Sequence, residues 1–284
     1  MSRPDLASDS VEAHYVRQDL ESAILTALDA AGLEVEHLGA GELAGIDEFH
    51  VGGRRATLAL AQKLGLDETM QVLDVGSGLG GASRCLATEF GCHVTGLDLC
   101  RDYCRLAAQF ARRLGLDARV AYRHGNALEM PFADASFDVL WTQHAAMNIA
   151  DKARLYREML RVLKPGGVLG LYDILSGEGG PVHFPVPWAR EPSISFLQTP
   201  RQLRQSLEAG GFEILHWRDS TETGRLWFRR RNEKAASQGS APLGLQLLLG
   251  PEFPAMAQNQ LRNLEEDRIA LIEAIVRRPF NREA

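Results

Sequence analysis

The chain has 284 residues, 45% of them hydrophobic and 24% charged, with a formal net charge of −6. That length fits one large domain or two small ones at roughly 100–200 residues each, and the composition excludes a disordered chain. The acidic balance argues against nucleic acid as a partner, and no run reaches the roughly 18 apolar residues of a membrane span. The opening MSRPDLASDS has no apolar core for an export signal. Cys85, Cys92, Cys100 and Cys104 show no paired CxxC spacing. The expectation is therefore a cytoplasmic setting, reduced thiols and no bound metal.

Residues 10–31 are predicted as one helix, because Val16, Leu20, Ala23, Ile24, Ala27 and Leu28 recur at helical spacing and Gly32 stops them. A second helix is expected over 53–64, closed by Gly65. Strands and helices then alternate: a strand at 71–75, a helix near 80–90, a strand at 92–97, and a helix near 101–114 closed by Gly115. Short β-rich runs follow at 119–123 and 137–141, then a helix at 151–163. The turn signal Pro165-Gly166-Gly167 leads into a strand at 167–173. Such alternation predicts a mostly parallel sheet with helices on both faces.

Pro181, Pro185, Pro187 and Pro192 exclude regular structure within 174–199. The aromatics Phe184, Trp188 and Phe196 in that stretch favour an ordered, pocket-lining loop. A helix (200–209) and a strand (212–217) come next. Residues 221–263 read as helical with a break at 239–242, and Arg225, Arg229, Arg230, Arg231 and Lys234 there read as a solvated face. The ending IALIEAIVRR reads as a final strand for its isoleucine and valine content. The chain thus divides into an N-terminal helical cap (1–66), a core (67–220), a helical lid insert (221–263) and a final strand with tail (264–284).

The stretch VLDVGSGLGGASR (72–84) concentrates glycine after an apolar run. A triphosphate cradle needs Gly-Lys-Ser/Thr, and Gly81-Ala82-Ser83 lacks the lysine. Gly76, Gly78 and Gly81 fit GxGxxG, and Asp98 lies about 20 residues on, where a carboxylate holds ribose hydroxyls in dinucleotide sites. Asp98 also suits a helix cap. The loop alone therefore admits a nicotinamide dinucleotide. Asp74, two residues before Gly76, repels a pyrophosphate and suits a ligand that carries an ammonium group.

Five motifs in order, LDVGSGLGG (73–81), VTGLDL (94–99), HGNALEMPF (124–132), FDVLWTQHAAMNI (137–149) and VLKPGGVLGLYD (162–173), resemble the class I S-adenosylmethionine (SAM)-dependent methyltransferases. They cover about residues 70–220, and the chain is most similar to small-molecule enzymes of the sarcosine/dimethylglycine and quinone-methylating type. The resemblance implies a Rossmann-like α/β fold, a mostly parallel seven-stranded sheet with helices on both faces plus helical lid elements. It implies SAM as cofactor and S-adenosylhomocysteine (SAH) as product. It places Asp74 on the methionine ammonium, directly or through water, and Gly76, Ser77, Gly78 and Gly80 under the cofactor. Asp98 would take the ribose hydroxyls, Leu99 the adenine face, and Asn126 and Ala127 the adenine edge. Many relatives have Asp where this chain has Asn126. Gln143 and His144 would border the sulfonium.

The implied activity is methyl transfer to a small molecule, with an amine nitrogen first and a quinol, phenol or natural-product carbon or oxygen as the alternative. An NAD-linked oxidoreductase and a non-catalytic SAM-binding protein are the competing classes. His144 is the candidate general base. Tyr15, His50, Asn148 and Trp188 are candidate acceptor contacts, although His50 equally suits a cap and Trp188 equally suits packing. A cationic acceptor would draw an aromatic box from Tyr15, Phe49, Trp141, Tyr172, Phe184 and Trp188, and a carboxylated one an arginine, Arg54 or Arg190. The N-terminal helix, the loop 181–198 and the insert 221–263 are expected to cover the crevice. No partner beyond the acceptor is expected, in a monomer or homodimer.

Overall fold

The computed structural model describes residues 3–15, 19–33, 38–39, 41–238 and 243–280. In β1 (Gln71–Val75) every residue after the first is buried, as in a strand covered on both faces by helices. β1 lies near the centre of a seven-stranded sheet in the order β3-β2-β1-β4-β5-β7-β6. The other strands are β2 (His93–Asp98), β3 (Val120–His124), β4 (Phe137–Gln143), β5 (Leu163–Ser176), β6 (Glu213–Asp219) and β7 (Ile269–Arg277). Pairing is parallel from β3 through β5, and β7 runs antiparallel to both β5 and β6. The chain leaves β1 toward β2 and β3, then crosses back to β4 on the other side. That reversal opens a crevice beyond the carboxyl ends of β1 and β4.

The helices in chain order are α1 (Arg3–Tyr15), α2 (Leu20–Ala30), α3 (Ala44–Asp47), α4 (Arg54–Ala61), α5 (Gly81–Phe90), α6 (Arg101–Arg113), α7 (Lys152–Val162), α8 (Pro200–Ala209), α9 (Thr221–Gln238), α10 (Gln246–Leu249) and α11 (Phe253–Glu265). Among the described residues no helix is long and apolar enough to cross a membrane.

The sheet matches the expected class, and the differences have identifiable causes. The single helix expected over 10–31 is two helices, with 16–18 outside the described residues. Its halves have different partners: Leu20, Ile24 and Leu28 of α2 bury with Phe110, Leu245 and Leu248, whereas His14 and Tyr15 of α1 reach Pro187 and Asn148. β5 begins at Leu163, before the Pro165-Gly166-Gly167 turn. That turn sits in an irregularity of the β4–β5 pairing, with Gly166 at φ 79. β5 also runs on to Ser176, which pairs with Ile269 of β7.

The expected final strand forms, and it is an inner strand of the sheet. The expected break at 239–242 lies outside the described residues. The basic stretch of α9 is more than a solvated face. Arg225 donates to the Leu264 carbonyl at 2.7 Å, Arg229 pairs with Glu265 at 2.9 Å, and Arg231 stacks over Trp227 and Phe253. These contacts tie α9 to α11.

Candidate active site

The glycine loop turns sharply out of β1. Gly76 is at φ 81, and a Cβ there would run into the Ala145 side chain, so an L side chain is excluded twice over. The Gly76 and Ser77 N–H groups donate to the Leu97 carbonyl at 2.8 and 3.2 Å. Asp98, at the end of β2, completes the stitch: its Oδ2 accepts the Gly78 N–H at 2.7 Å and its Oδ1 the Cys100 N–H at 2.8 Å. Burial raises the Asp98 carboxyl above its ordinary range, and the two N–H donors oppose that rise. The ribose and cap readings of Asp98 are compatible. The carboxylate fixes the loop and the entry to α6 while still facing a cavity.

That cavity has a volume of about 640 Å³. Ten of the expected site residues line it: Gly76, Gly78, Asp98, Leu99, Asn126, Ala127, His144 and Asn148 from the sheet's carboxyl end, with Tyr15 and Trp188 from outside the sheet. The Asn126 side-chain oxygen already accepts the Leu128 N–H at 2.9 Å. All of the expected covering pieces contribute to the walls: Val11 and Tyr15 from α1, Pro187, Trp188 and Phe196 from the loop, and Leu245, Leu249 and Gln260 from the insert. Of the proposed aromatic box, Trp141, Tyr172 and Phe184 do not line the cavity, and neither do Arg54 or Arg190.

Asp74, Ser77, Gly80, Gln143 and His50 stand behind the wall. Asp74 is buried and accepts the Ser83 hydroxyl at 2.6 Å, and burial pushes its carboxyl up to about 7. Gly80 packs against Tyr122, whose hydroxyl donates to its carbonyl at 3.2 Å. The Ser77 hydroxyl is buried with no partner among the described residues.

Gln143 and His50 belong to a buried polar network that the sequence did not reveal. Thr57 on α4 lies 2.9 Å from Glu48 Oε2, 3.0 Å from His50 Nε2 and 3.2 Å from Gln143 Oε1. His50 Nε2 is also 3.0 Å from the Gly53 carbonyl, an acceptor only, so that nitrogen carries the hydrogen. Trp141 Nε1 donates to Gln143 Oε1 at 3.1 Å. Burial pushes Glu48 up to about 8 and His50 down to about 4, so both are neutral near pH 7.

His144 follows β4 at φ 49, a left-handed conformation unusual for a non-glycine residue. Its N–H donates to the Tyr172 carbonyl at 2.8 Å. Its ring lies 5.1 Å from that of Tyr172 and 6.1 Å from that of His50. Burial, with His50 beside it, holds the His144 imidazole well below its ordinary value, and its Nε2 is buried with no partner among the described residues. It is therefore a neutral ring with a free ring nitrogen. Across the cavity, Asn148 donates to the Trp188 and Ile194 carbonyls at 2.8 and 2.9 Å. That fixes its amide, so Oδ1 faces the Tyr15 hydroxyl, which donates to it at 3.0 Å. His14 Nε2 bonds the Pro187 carbonyl at 3.0 Å, and Arg190 joins His14 to Glu252. Tyr103 also lines the cavity, with a buried hydroxyl that has no partner among the described residues.

Residues 73–171 match the family described as a methyltransferase domain. The glycine/sarcosine/dimethylglycine N-methyltransferase of Actinopolyspora halophila is 27% identical over 217 residues, 76% of this chain and 38% of that protein. A sterol 24-C-methyltransferase of Aspergillus fumigatus is 33% identical over 166 residues, 56% of this chain and 44% of that protein. Among solved structures, the [4+2]-cyclase SpnF is 30% identical with a TM-score of 0.65, covering 80% of this chain and 82% of that one.

Residues 73–171 are a class I SAM-dependent methyltransferase domain. SAM is the cofactor of that family, and the wall fits it. A glycine turn leaves backbone open beside Asp98, and the orphaned Tyr103 hydroxyl stands nearby. The chain spans less than half the length of the curated relatives it matches.

Proposed function

We propose that the chain transfers the SAM methyl group to a small-molecule acceptor held between Tyr15, His144 and Trp188. One juxtaposition supports this reading: the glycine loop and Asp98 open into the same cavity that His144, Asn148 and the covering segments line. In this reading Gly76 and Gly78 let the cofactor lie on the loop, and Asp98 offers its remaining lone pairs to ribose hydroxyls. Leu99 and Ala127 pack on the adenine, and Asn126 reads its edge. Asp74, Ser77, Gly80 and Gln143 brace the loop and strand ends from behind. The cap (1–66) and the insert (221–263) form the cover, and the core (67–220) holds the cofactor.

SAM supplies a methyl group already activated on a positively charged sulfur. What the chain must add is placement and the exclusion of water. Placement alone is worth roughly 7–11 kcal/mol of barrier, and the apolar cover keeps water out. Neutral His144 accepts a hydrogen bond from the nucleophile and aims it. Its depressed basicity suits orientation better than storage of a proton. The acceptor type is open between an amine, supported by the N-methyltransferase relative, and a carbon or oxygen nucleophile, supported by the sterol relative.

The test is calorimetry with SAH and with NADH, followed by methyl-labelled SAM against a panel of amines, phenols and quinols. SAH binding without NADH binding, and label in one acceptor class, is the expected result. NADH binding without SAH binding would overturn it. The likeness to a [4+2]-cyclase supports a second reading, ring closure of a substrate in the same cavity. Product formation from a diene–alkene substrate without SAM consumption would favour it.

A further inference from the structure

Helix α11 turns one face inward, made of Met256, Gln260, Asn263 and Leu264. A buried carboxamide on such a face needs partners for its oxygen and its N–H hydrogens. Asn263 has them: its Oδ1 accepts the His183 N–H at 2.8 Å, and its Nδ2 donates to the His183 carbonyl at 3.0 Å. Asn259, on the same helix, donates to the Pro185 carbonyl at 2.9 Å. The two asparagines latch α11 to the loop that leads to Trp188.

Gln260 lies between them in sequence and behaves differently. It is 3% exposed and lines the cavity, and its amide has no hydrogen-bond partner among the described residues. A buried amide without a partner costs stability, and an apolar side chain of the same length would fill the space without that cost. Such a group calls for a specific explanation, and here its partner comes from the cavity.

The position of Gln260 indicates which ligand supplies that partner. The cavity reaches from Asp98, at the end of β2, to Ile174 in the last part of β5. Those strands are three places apart in the sheet, about 14 Å at roughly 4.8 Å per strand. Helix α11 packs against α9 and β7, and β7 adjoins β5 on the side away from β2. In strand order, His144 at the end of β4 stands between Asp98 and the α11 side.

From these observations we infer that Gln260 determines which acceptor is bound: its carboxamide hydrogen-bonds a second polar group, one that both donates and accepts as a hydroxyl does, at the end of the acceptor away from the cofactor. This inference rests on the methyltransferase reading above and deepens it. The reacting atom meets His144 and the far group meets Gln260. A molecule without the far group leaves the amide unpaired and is bound less well.

Diols matched to mono-alcohols of the same skeleton test it. Naphthalenediol against naphthol is the rigid pair, and α,ω-octanediol against octanol is free to span the separation the cavity sets. Each is titrated calorimetrically into the full chain saturated with SAH, for wild type, Gln260→Met and Gln260→Leu. Methionine keeps the length of the side chain and removes the amide, and leucine guards against one poor fit. In wild type the diol of at least one pair should bind about three- to tenfold more tightly than its mono-alcohol, the contribution of one hydrogen bond. In the variants that gap should close to within about twofold while SAH affinity holds. Their melting temperature without ligand should stay level or rise, because an unpaired amide has been removed. No gap in wild type, a gap that persists in a folded variant, or two variants that melt well below wild type or fail to fold overturns the inference and leaves the methyltransferase reading in place. Loss of SAH affinity in the variants assigns Gln260 to the cofactor and overturns it as well. Failure of SAH to bind wild type overturns the methyltransferase reading, and the inference falls with it.

Discussion

Replacing Asp98 separates a fold contact from a ligand contact. In Asp98→Ala the Gly78 and Cys100 N–H groups, now bonded at 2.7 and 2.8 Å, lose their acceptors. Two orphaned part-buried donors cost up to about 2–6 kcal/mol at roughly 1–3 each, a large part of the 5–15 kcal/mol typical of a domain. Lost affinity in that variant would therefore be confounded with lost folding. Asp98→Asn keeps the shape and one acceptor oxygen, so about 1–3 kcal/mol of stability is expected to go with the second N–H.

For the cofactor, the amide gives up the charge. Charge-assisted bonds of about 1.5–3 kcal/mol to two ribose hydroxyls become neutral bonds of about 0.5–1.5. The expected loss is about 2–3 kcal/mol, or roughly 30–150-fold in SAH Kd. Calorimetric titration with SAH gives the affinity, and urea unfolding of the same preparation gives the stability. If SAH binds Asp98→Asn within about twofold of wild type while stability falls as expected, Asp98 is a stitch between loop and helix and no part of the cofactor site.

Glu48→Gln tests the buried network by its pH dependence. Burial raises the Glu48 carboxyl from 4.5 to about 8 in the fold. A raised folded value means stability that is present below the unfolded value and lost as pH rises through the folded one. Glutamine mimics the neutral acid, so the variant should gain on wild type by about 1.4 kcal/mol per pH unit between those values. Urea unfolding at about pH 5 and about pH 8 checks this, and a gap that does not widen toward high pH refutes it. Tyr15→Phe leaves Asn148 Oδ1 without its donor at 3.0 Å. With a penalty of about 1–3 kcal/mol falling on the acceptor wall, kcat/KM should drop by about tenfold while SAH affinity stays unchanged. An equal loss of SAH affinity would move Tyr15 to the cofactor side.

The half of the cavity nearest the sheet was legible because its residues sit at strand ends with fixed local spacing. The Gly76–Gly78 turn and Asp98 follow directly from where β1 and β2 stop, and the β1/β2 register, Asp74 opposite Gly96 and Val75 opposite Leu97, brings them side by side. Asp74 was placed correctly in its strand but not toward the cavity. Its carboxyl turns to Ser83 on α5, a contact set by how that helix packs, which strand periodicity does not encode. The Glu48–Thr57–Gln143 network was invisible for a similar reason. Thr57 reaches Gln143 across 86 positions of sequence, and an isolated threonine on a helix carries no mark of such a partner. The break between α1 and α2 escaped because hydrophobic spacing continues through both, although the two helices serve different neighbours.

The other half of the cavity is assembled differently. Val11 and Tyr15 come from α1, Trp188 and Phe196 from a proline-rich loop, and Leu245, Leu249 and Gln260 from the insert. These segments meet through Tyr15 on Asn148 and through Arg190 between His14 and Glu252. They also pack into the main core, through Val11, Trp188, Ile194, Phe228 and Leu264, but they lie outside the strands and their short motifs. A ligand of fixed shape constrains the sheet side to short motifs with set spacing. The acceptor side answers to no such constraint, and its chemistry is read from which side chains converge.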